Sequence, residues 1–263
     1  MFSQKLAVLA ACCLLVACQS ATTTSGSAYL QRWAAAEAAA PAAADPRFQD
    51  DLRAAAAVEP LLRFPARLGV ARLLNGQLSP IPPGEGAHWL ALLQAEVDYG
   101  EFVEISPLAA TFAATDIGLV EPGRMDPIQR IRLGAARQHV DAVFVYEVFT
   151  KSERKGTPLL SNILDATIIG GLLVPNRQVG IEAFAQTALI DVRNGYIYGQ
   201  ARGSADAAFI TTSAGGFDRT RRRAEDAGEL AVAEMSTEIE TMLATLARDL
   251  PQEDVPEAEL AAR

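Results

Sequence analysis

Histidines, cysteines and clustered carboxylates carry most protein chemistry, and this chain holds few of them in useful spacing. Its two histidines are His88 and His139. One falls at a helix start and the other at a helix end, and neither has the short-range partner that a metal site requires. No Gly-x-Ser-x-Gly elbow presents a serine nucleophile. A helix C-terminus favours a protonated imidazole, which accounts for His139 without catalysis. Gly203-Ser204 and Ser213-Ala-Gly-Gly216 lack the lysine of a phosphate-binding loop and read as connections. The carboxylates fall mainly on helix faces, and Asp191 is expected to set up a hairpin rather than to move protons. The densest positive run is Arg219-Thr-Arg-Arg-Arg223. Arg219, Arg221, Arg222 and Arg223 form either a solvated helix face or a docking patch for an acidic partner or lipid headgroups. The reading is of a protein that is not an enzyme and calls for no cofactor and no metal.

The cysteines are Cys12, Cys13 and Cys18. Met1 to Lys5 is a positively charged start, and Leu6 to Ala17 is an apolar stretch of signal-peptide length, too short to remain as a bilayer span. Leu15-Val-Ala-Cys18 resembles the lipobox of bacterial lipoproteins. The resemblance implies that residues 1–17 are a signal peptide, that the Cys18 thiol is alkylated with diacylglycerol, and that Cys18 becomes the first mature residue, carrying fatty chains such as palmitate. Gln19 is not the aspartate that retains enteric lipoproteins at the inner membrane, so the resemblance implies the outer membrane, facing the periplasm. Removal of residues 1–17 takes away Lys5 alone among charged residues and moves the formal charge from −9 to −10. It leaves no free thiol for a disulfide, a nucleophile or a metal. An acidic body disfavours sequence-independent nucleic-acid binding, which needs clustered cations facing phosphates.

The elements that would position these groups lie between Leu61 and Leu246. Gln19 to Ser27 is rich in Ser, Thr, Ala and Gly and reads as a flexible tether. An alanine run broken by Pro41, then Asp45-Pro46, predict two short helices; alanine forms helix well but buries little. Residues 18–64 are thus expected to be a lipidated tether and alanine-rich helical stalk, with Trp33 and Phe48 docking on the domain. Arg67 to Leu74 predicts the first core strand, ended by Asn75-Gly76. Ser79 to Gly84 reads as a loop, Ala87 to Tyr99 as a helix capped by Gly100, and Phe102 to Ser106 as a strand. Leu108 to Arg124 carries loop signals with a turn of helix.

Asp126 to Val192 is the stretch around which the rest is organised. Asp126-Pro127 supplies an N-cap acceptor and a proline whose missing N–H costs nothing there. Ile128, Ile131 and Ala135 then point inward, with Arg130, Arg132 and Arg137 in water. Ala142 to Phe149 is apolar, β-branched and aromatic, and predicts a central strand covered on both faces. Strands Ile181 to Val192 and Tyr196 to Ala201 flank Arg193-Asn-Gly195, which predicts a tight type I′ hairpin. Ala224, Ala227, Ala231, Met235, Ile239, Met242 and Leu246 predict a long C-terminal amphipathic helix, and residues 249–263 an acidic tail. The fold class is α+β: a mixed β-sheet of about five strands packed by helices, spanning residues 65–248.

Thr157 to Asn176 is the most apolar unassigned piece, with Leu160, Ile163, Leu164, Ile168 and Leu172 as candidate partner or membrane contacts. Asp165, Gly170-Gly171 and its length make it a poor transmembrane helix, which needs about 20 apolar residues. A crossover helix packed on the sheet, an oligomer or partner surface, and a membrane-dipping element all fit.

The join Gly134-Ala-Ala-Arg-Gln-His-Val-Asp-Ala-Val143, the strand after it, and the hairpin Ala188-Leu-Ile-Asp-Val-Arg-Asn-Gly195-Tyr-Ile-Tyr resemble periplasmic lipoproteins related to the curli secretion lipoprotein and the TolB N-terminal domain. In that group an apolar-Asp-Val-x-x-Gly hairpin is matched by Leu189, Ile190, Asp191, Val192 and Gly195. The chain is similar in particular to the rhombotarget lipoprotein family, which has a comparable apolar insert after the central strand, here Leu159 to Val174. The likeness covers roughly residues 65–248 and implies a fold and a compartment rather than an activity. The expected function is binding of an envelope protein partner, or homo-oligomeric assembly. The alternative is a subunit of an outer-membrane secretion or transport assembly that inserts Leu159 to Val174, and an envelope hydrolase has the least support.

Overall fold

The computed structural model describes residues 23–37, 46–93, 99–116, 125–155, 177–211 and 216–250. Six strands form one mixed sheet: β1 (Ala66–Leu74), β2 (Gln77–Ser79), β3 (Gly100–Glu104), β4 (Ala142–Lys155), β5 (Arg177–Asp191) and β6 (Ile197–Thr211). Their order is β2-β1-β4-β5-β6, with β3 also beside β1. β1 runs parallel to β3 and β4, and the β1–β2, β4–β5 and β5–β6 pairs are antiparallel. The described helices are α1 (Gly26–Glu37), α2 (Pro46–Ala56), α3 (Pro83–Leu93), α4 (Pro107–Asp116), α5 (Pro127–Arg137) and α6 (Gly216–Asp249). The predicted α+β class and long C-terminal helix are what the chain adopts.

Alternation in the strands decides which face each helix covers. Along β5, Val179, Ile181, Ala183, Ala185 and Leu189 are buried, with Glu182, Phe184 and Gln186 pointing the other way. The buried set meets the α6 stripe of Ala227, Ala231, Met235, Ile239, Met242 and Leu246, none more than 1% exposed. Each of the larger side chains there contributes roughly 1.5–3 kcal/mol by leaving water. On the opposite face Val143, Val145 and Ile190 pack with Ile131 and Ala135 of α5 and with Ile105. Both faces of β4 are therefore covered from Ala142 to Tyr146. Coverage ends beyond α5, and Phe149 lies 46% exposed opposite Phe184 at 48%.

At the outer edge, β6 would present unpaired amides to any passing strand. Helix α6 answers two of them: Glu238 accepts from the Arg202 amide at 3.0 Å and Glu234 from the Ser204 amide at 2.6 Å. A four-residue helical step and a two-residue strand step both advance about 6 Å, so one carboxylate per turn meets alternate amides.

Several expectations need correction. The two-residue Asn-Gly turn with positive φ at both positions is Asn75 (52°) and Gly76 (71°), joining β1 to β2. The Val192–Tyr196 turn is longer and only Gly195 has positive φ there, because the Asp191 carboxylate organises it. Leu108 to Arg124 is expected as loop with a turn of helix, and the helix there is longer, Pro107–Asp116, started by proline at its first position. The helix expected from Ala87 begins at Pro83 for the same reason. Asp126 occupies the N-cap of α5 without a side-chain cap hydrogen bond. No crossover joins β4 to β5, since the two strands are antiparallel neighbours from Ala142–Asp191 to Lys155–Gln178. Leu160, Ile163, Leu164, Ile168 and Leu172 lie outside the described residues.

Candidate anchoring and docking sites

The most heavily bonded polar cluster lies at the β5–β6 turn. Asp191 ends β5 at 0% exposure, with an inward side chain that the alternation of β5 imposes. Its carboxylate accepts from the Arg193 amide at 2.8 Å, from the Arg193 guanidinium at 3.1 and 3.3 Å, and from the Tyr198 hydroxyl at 2.7 Å. Burial alone would raise the Asp191 pKa, but the hydrogen bonds from Arg193 and Tyr198 outweigh it and hold the carboxyl below its ordinary value. Burial and the adjoining carboxylate push the Tyr198 phenol up, so it stays protonated. The same hydroxyl accepts the Leu61 and Leu62 amides at 2.9 and 2.7 Å. Arg132 of α5 closes the turn from the other side by donating to the carbonyls of Val192 and Arg193, each at 3.1 Å.

This turn also holds the N-terminal segment. Asn194 donates to the Glu59 carbonyl at 2.6 Å, and Tyr196 donates to the Thr24 carbonyl at 3.1 Å. The Glu59 carboxylate accepts from Ser25 Oγ at 3.1 Å, the Gly26 amide at 3.1 Å and the Ser27 amide at 2.9 Å. It thereby caps the start of α1, and these bonds, led by the Ser27 amide, lower its pKa. A Cβ on Gly26 would strike the backbone of Ala56 and Ala57, so only glycine lets the start of α1 and the end of α2 approach. Helices α1 and α2 therefore leave this point and return to it, and follow the fastened segment in the chain. Trp33 packs edge-on against Tyr29 of its own helix at 6.1 Å, and Phe48, expected to dock, is 57% exposed.

A second buried cluster joins β1, α3 and β4. Arg72 makes two bonds to Glu85 at 2.8 and 2.9 Å, and the Tyr146 hydroxyl donates to Glu85 at 2.8 Å. Glu85 is 5% exposed. Trp89 seals the cluster, with its ring 5.5 Å from Phe144 and 5.2 Å from Tyr146. Burial and the Glu85 charge push the Tyr146 phenol far up, so it donates and does not ionise. Every acceptor here faces a donor of the fold itself, which is the arrangement of a fastener. Beside it, α3 and β3 border an apolar groove of about 440 Å³ lined by Ile81, Pro83, Trp89, Leu90, Phe102 and Val103.

His88 lies half-buried on the same helix as Glu85 and Trp89. His139 follows α5 at φ 56°, with its amide bonded to Ala136 and the Val140 amide to Ala135, so it occupies the left-handed position of a helix C-terminal motif usually given to glycine. That backbone role accounts for His139 more directly than the dipole. Among the described residues no group of His, Cys, Asp and Glu is placed to hold a metal ion, and no helix is long and apolar enough to cross a membrane. Arg219, Arg221, Arg222 and Arg223 are all exposed in the first turns of α6, with Arg221 paired to Glu225 at 3.8 Å and Arg223 to Asp226 at 3.6 Å. Cys18 lies outside the described residues.

Sequence analysis missed Glu59, Asn194, Tyr196 and Tyr198 as a docking site. The available signal was Tyr198 at an apolar strand start, since a buried phenol requires a partner for its hydroxyl. No protein-family profile and no curated protein matches the chain. Among solved structures it is similar to the LpoB C-terminal domain from Salmonella enterica, at 14% identity and a TM-score of 0.27, over 57% of this chain and 86% of that one. It is similar to a minor lipoprotein from Acinetobacter baumannii at 10% identity and a TM-score of 0.29, covering 74% and 100%. A PelC dodecamer from Paraburkholderia phytofirmans is similar at 13% identity and a TM-score of 0.28, covering 69% and 91%. With TM-scores well below one half, these likenesses carry no argument about this chain.

Proposed function

We propose that this chain is a lipid-anchored protein of the bacterial envelope, tethered through diacylglycerol on Cys18, that acts without enzymatic chemistry by presenting its mixed-sheet domain to an envelope protein or to a second copy of itself. The observation that supports it most is the continuity between lipobox and fold: Leu15-Val-Ala-Cys18 is followed, six residues on, by Thr24, whose carbonyl is bonded to the domain at Tyr196. The buried carboxylates Asp191 and Glu85 are bonded to groups of the fold, which favours structural over proton-transfer roles. Gln19 and the resemblance to rhombotarget lipoproteins favour the outer membrane, periplasmic side. Crosslinking in intact cells, followed by mass spectrometry, tests the reading. It predicts adducts to an envelope protein or to the chain itself that disappear when Cys18→Ser releases the protein, and adducts unchanged by release would contradict it.

A second reading, a secretion or transport subunit that inserts Leu159 to Val174, is favoured by the pairing of β4 with β5 out to Lys155–Gln178, which brings together the two strand ends that flank that segment in sequence. Size exclusion with light scattering on the chain lacking residues 1–18 separates the two. The docking reading predicts a soluble monomer or small oligomer, whereas a ring that needs detergent supports insertion. His88→Ala with His139→Ala is expected to leave the cellular phenotype intact. Loss of function with the fold preserved would revive an envelope hydrolase.

A further inference from the structure

The geometry points to the Val192–Tyr196 end of the domain as the surface that rests on the anionic leaflet holding the Cys18 acyl chains, with the far end of the β4–β5–β6 ribbon directed away from it. The inference rests on the lipid-anchor reading and adds an orientation to it. Thr24 is held by Tyr196, and Ser25, Gly26 and Ser27 by Glu59, which is itself held by Asn194. Six residue steps separate Cys18 from Thr24, so the lipid can stand no more than about 21 Å from that point even with the chain fully extended.

The ribbon is longer than this reach. Ala142 pairs with Asp191 at the turn end and Lys155 with Gln178 at the other. The strand steps between them span about 43 Å. The two strands that bear residues 156–176 thus leave the sheet at the end opposite the anchor.

Charge separates standing on this end from lying flat. Along α6, Arg221 and Arg223 offset Glu225 and Asp226 in the first turns, and from Gly228 to Ala247 the long flank carries Glu229, Glu234, Glu238 and Glu240 and no Lys or Arg. An anionic leaflet repels that flank. The turn end exposes Arg63, Arg137 and Arg193, with Arg132 behind the turn. Of the acids there, Asp191 is offset by Arg193 at 3.1 Å and Glu101 by Arg67 at 3.2 Å, and the carboxylates of Asp141 and Glu59 are outnumbered by Arg63, Arg132 and Arg137.

The test uses the full lipidated chain in vesicles of phosphatidylglycerol and phosphatidylethanolamine carrying a headgroup nitroxide. A bimane fluorophore is placed on Ala136→Cys at the turn end or on Ser152→Cys at the far end, both exposed positions. Quenching several-fold stronger at position 136 than at 152 is the expected result, and equal quenching or stronger quenching at 152 overturns the orientation. Adding Tyr196→Phe and Glu59→Gln should shrink the difference between the two sites. An unchanged difference would show that the fastening does not set the orientation and would also overturn it. Intact mass and vesicle flotation are read first: a chain without diacylglycerol, or one that does not float, defeats the anchor reading and not the orientation.

Discussion

The phenol of Tyr196 donates to the carbonyl of Thr24 at 3.1 Å, tying a hairpin turn to a residue 172 positions earlier. With Glu59 at the start of α1, this bond makes Thr24 to Ser27 part of the folded domain. Tyr196→Phe with Glu59→Ala is expected to speed amide exchange at Gly26 and Ser27 while leaving the exchange of β4 and β5 amides unchanged, because local opening needs no loss of the core. Hydrogen exchange with mass spectrometry reads both regions at once. Protection at Gly26 and Ser27 that survives both changes would contradict the fastening.

Asp191→Asn should destabilise the domain by about 1–3 kcal/mol, the scale for weakening charge-assisted hydrogen bonds to a buried carboxylate whose cationic partner is half-exposed. The pH dependence follows from its lowered pKa. The unfolded carboxyl titrates near 3.8 and the folded one below it. Between those values the unfolded chain binds more protons, so this contribution is complete above the unfolded value and is lost as pH falls through the folded one. Urea unfolding at a series of acidic pH values should show that part of the loss in the native chain and not in the Asn variant.

The Arg72–Glu85 pair offers a different comparison. Glu85→Leu alone leaves a guanidinium buried without its carboxylate and should cost about 3–5 kcal/mol, whereas Arg72→Met together with Glu85→Leu should cost much less. Tyr146 then loses only its acceptor. Denaturant melts of the single and double variants measure the coupling, and additive losses would mean that the two residues are not acting as a pair.

How much was legible in the sequence depends on the range of the interaction. The alternation in β5 and the stripe on α6 repeat at fixed local periods, so the buried faces could be read directly. The β4–β5 pairing could not, because an apolar connection of this length suits an antiparallel hairpin as well as a crossover. Asn75-Gly76 reads only as a strand end and Asn194-Gly195 as a tight hairpin, but the buried Asp191 carboxylate draws the latter turn into a longer form that dipeptide rules do not contain. The docking site was hidden for the same reason. Glu59, Asn194 and Tyr196 are unremarkable alone and acquire roles only when the sheet brings the turn to the N-terminal segment. Arg219, Arg221, Arg222 and Arg223 were visible as a charge run, and two of them pair along their own helix as helical spacing allows.

Edge protection by α6 gives a further expectation. Glu234→Ala with Glu238→Ala uncovers the Arg202 and Ser204 amides of β6. The variant should remain folded and self-associate through that strand, seen as a concentration-dependent rise in mass by light scattering. A mass indistinguishable from that of the native chain would show that the carboxylates are not what guards the edge.

The central claim is that fatty chains on Cys18 tie the domain to a bacterial membrane. Its most direct test is growth with radiolabelled palmitate, followed by capture of the protein and fractionation of the cells. The account predicts label on the native chain, its loss in Cys18→Ser, and recovery of the labelled protein with the outer membrane. An unlabelled native protein, or one found in the cytosol, would contradict it.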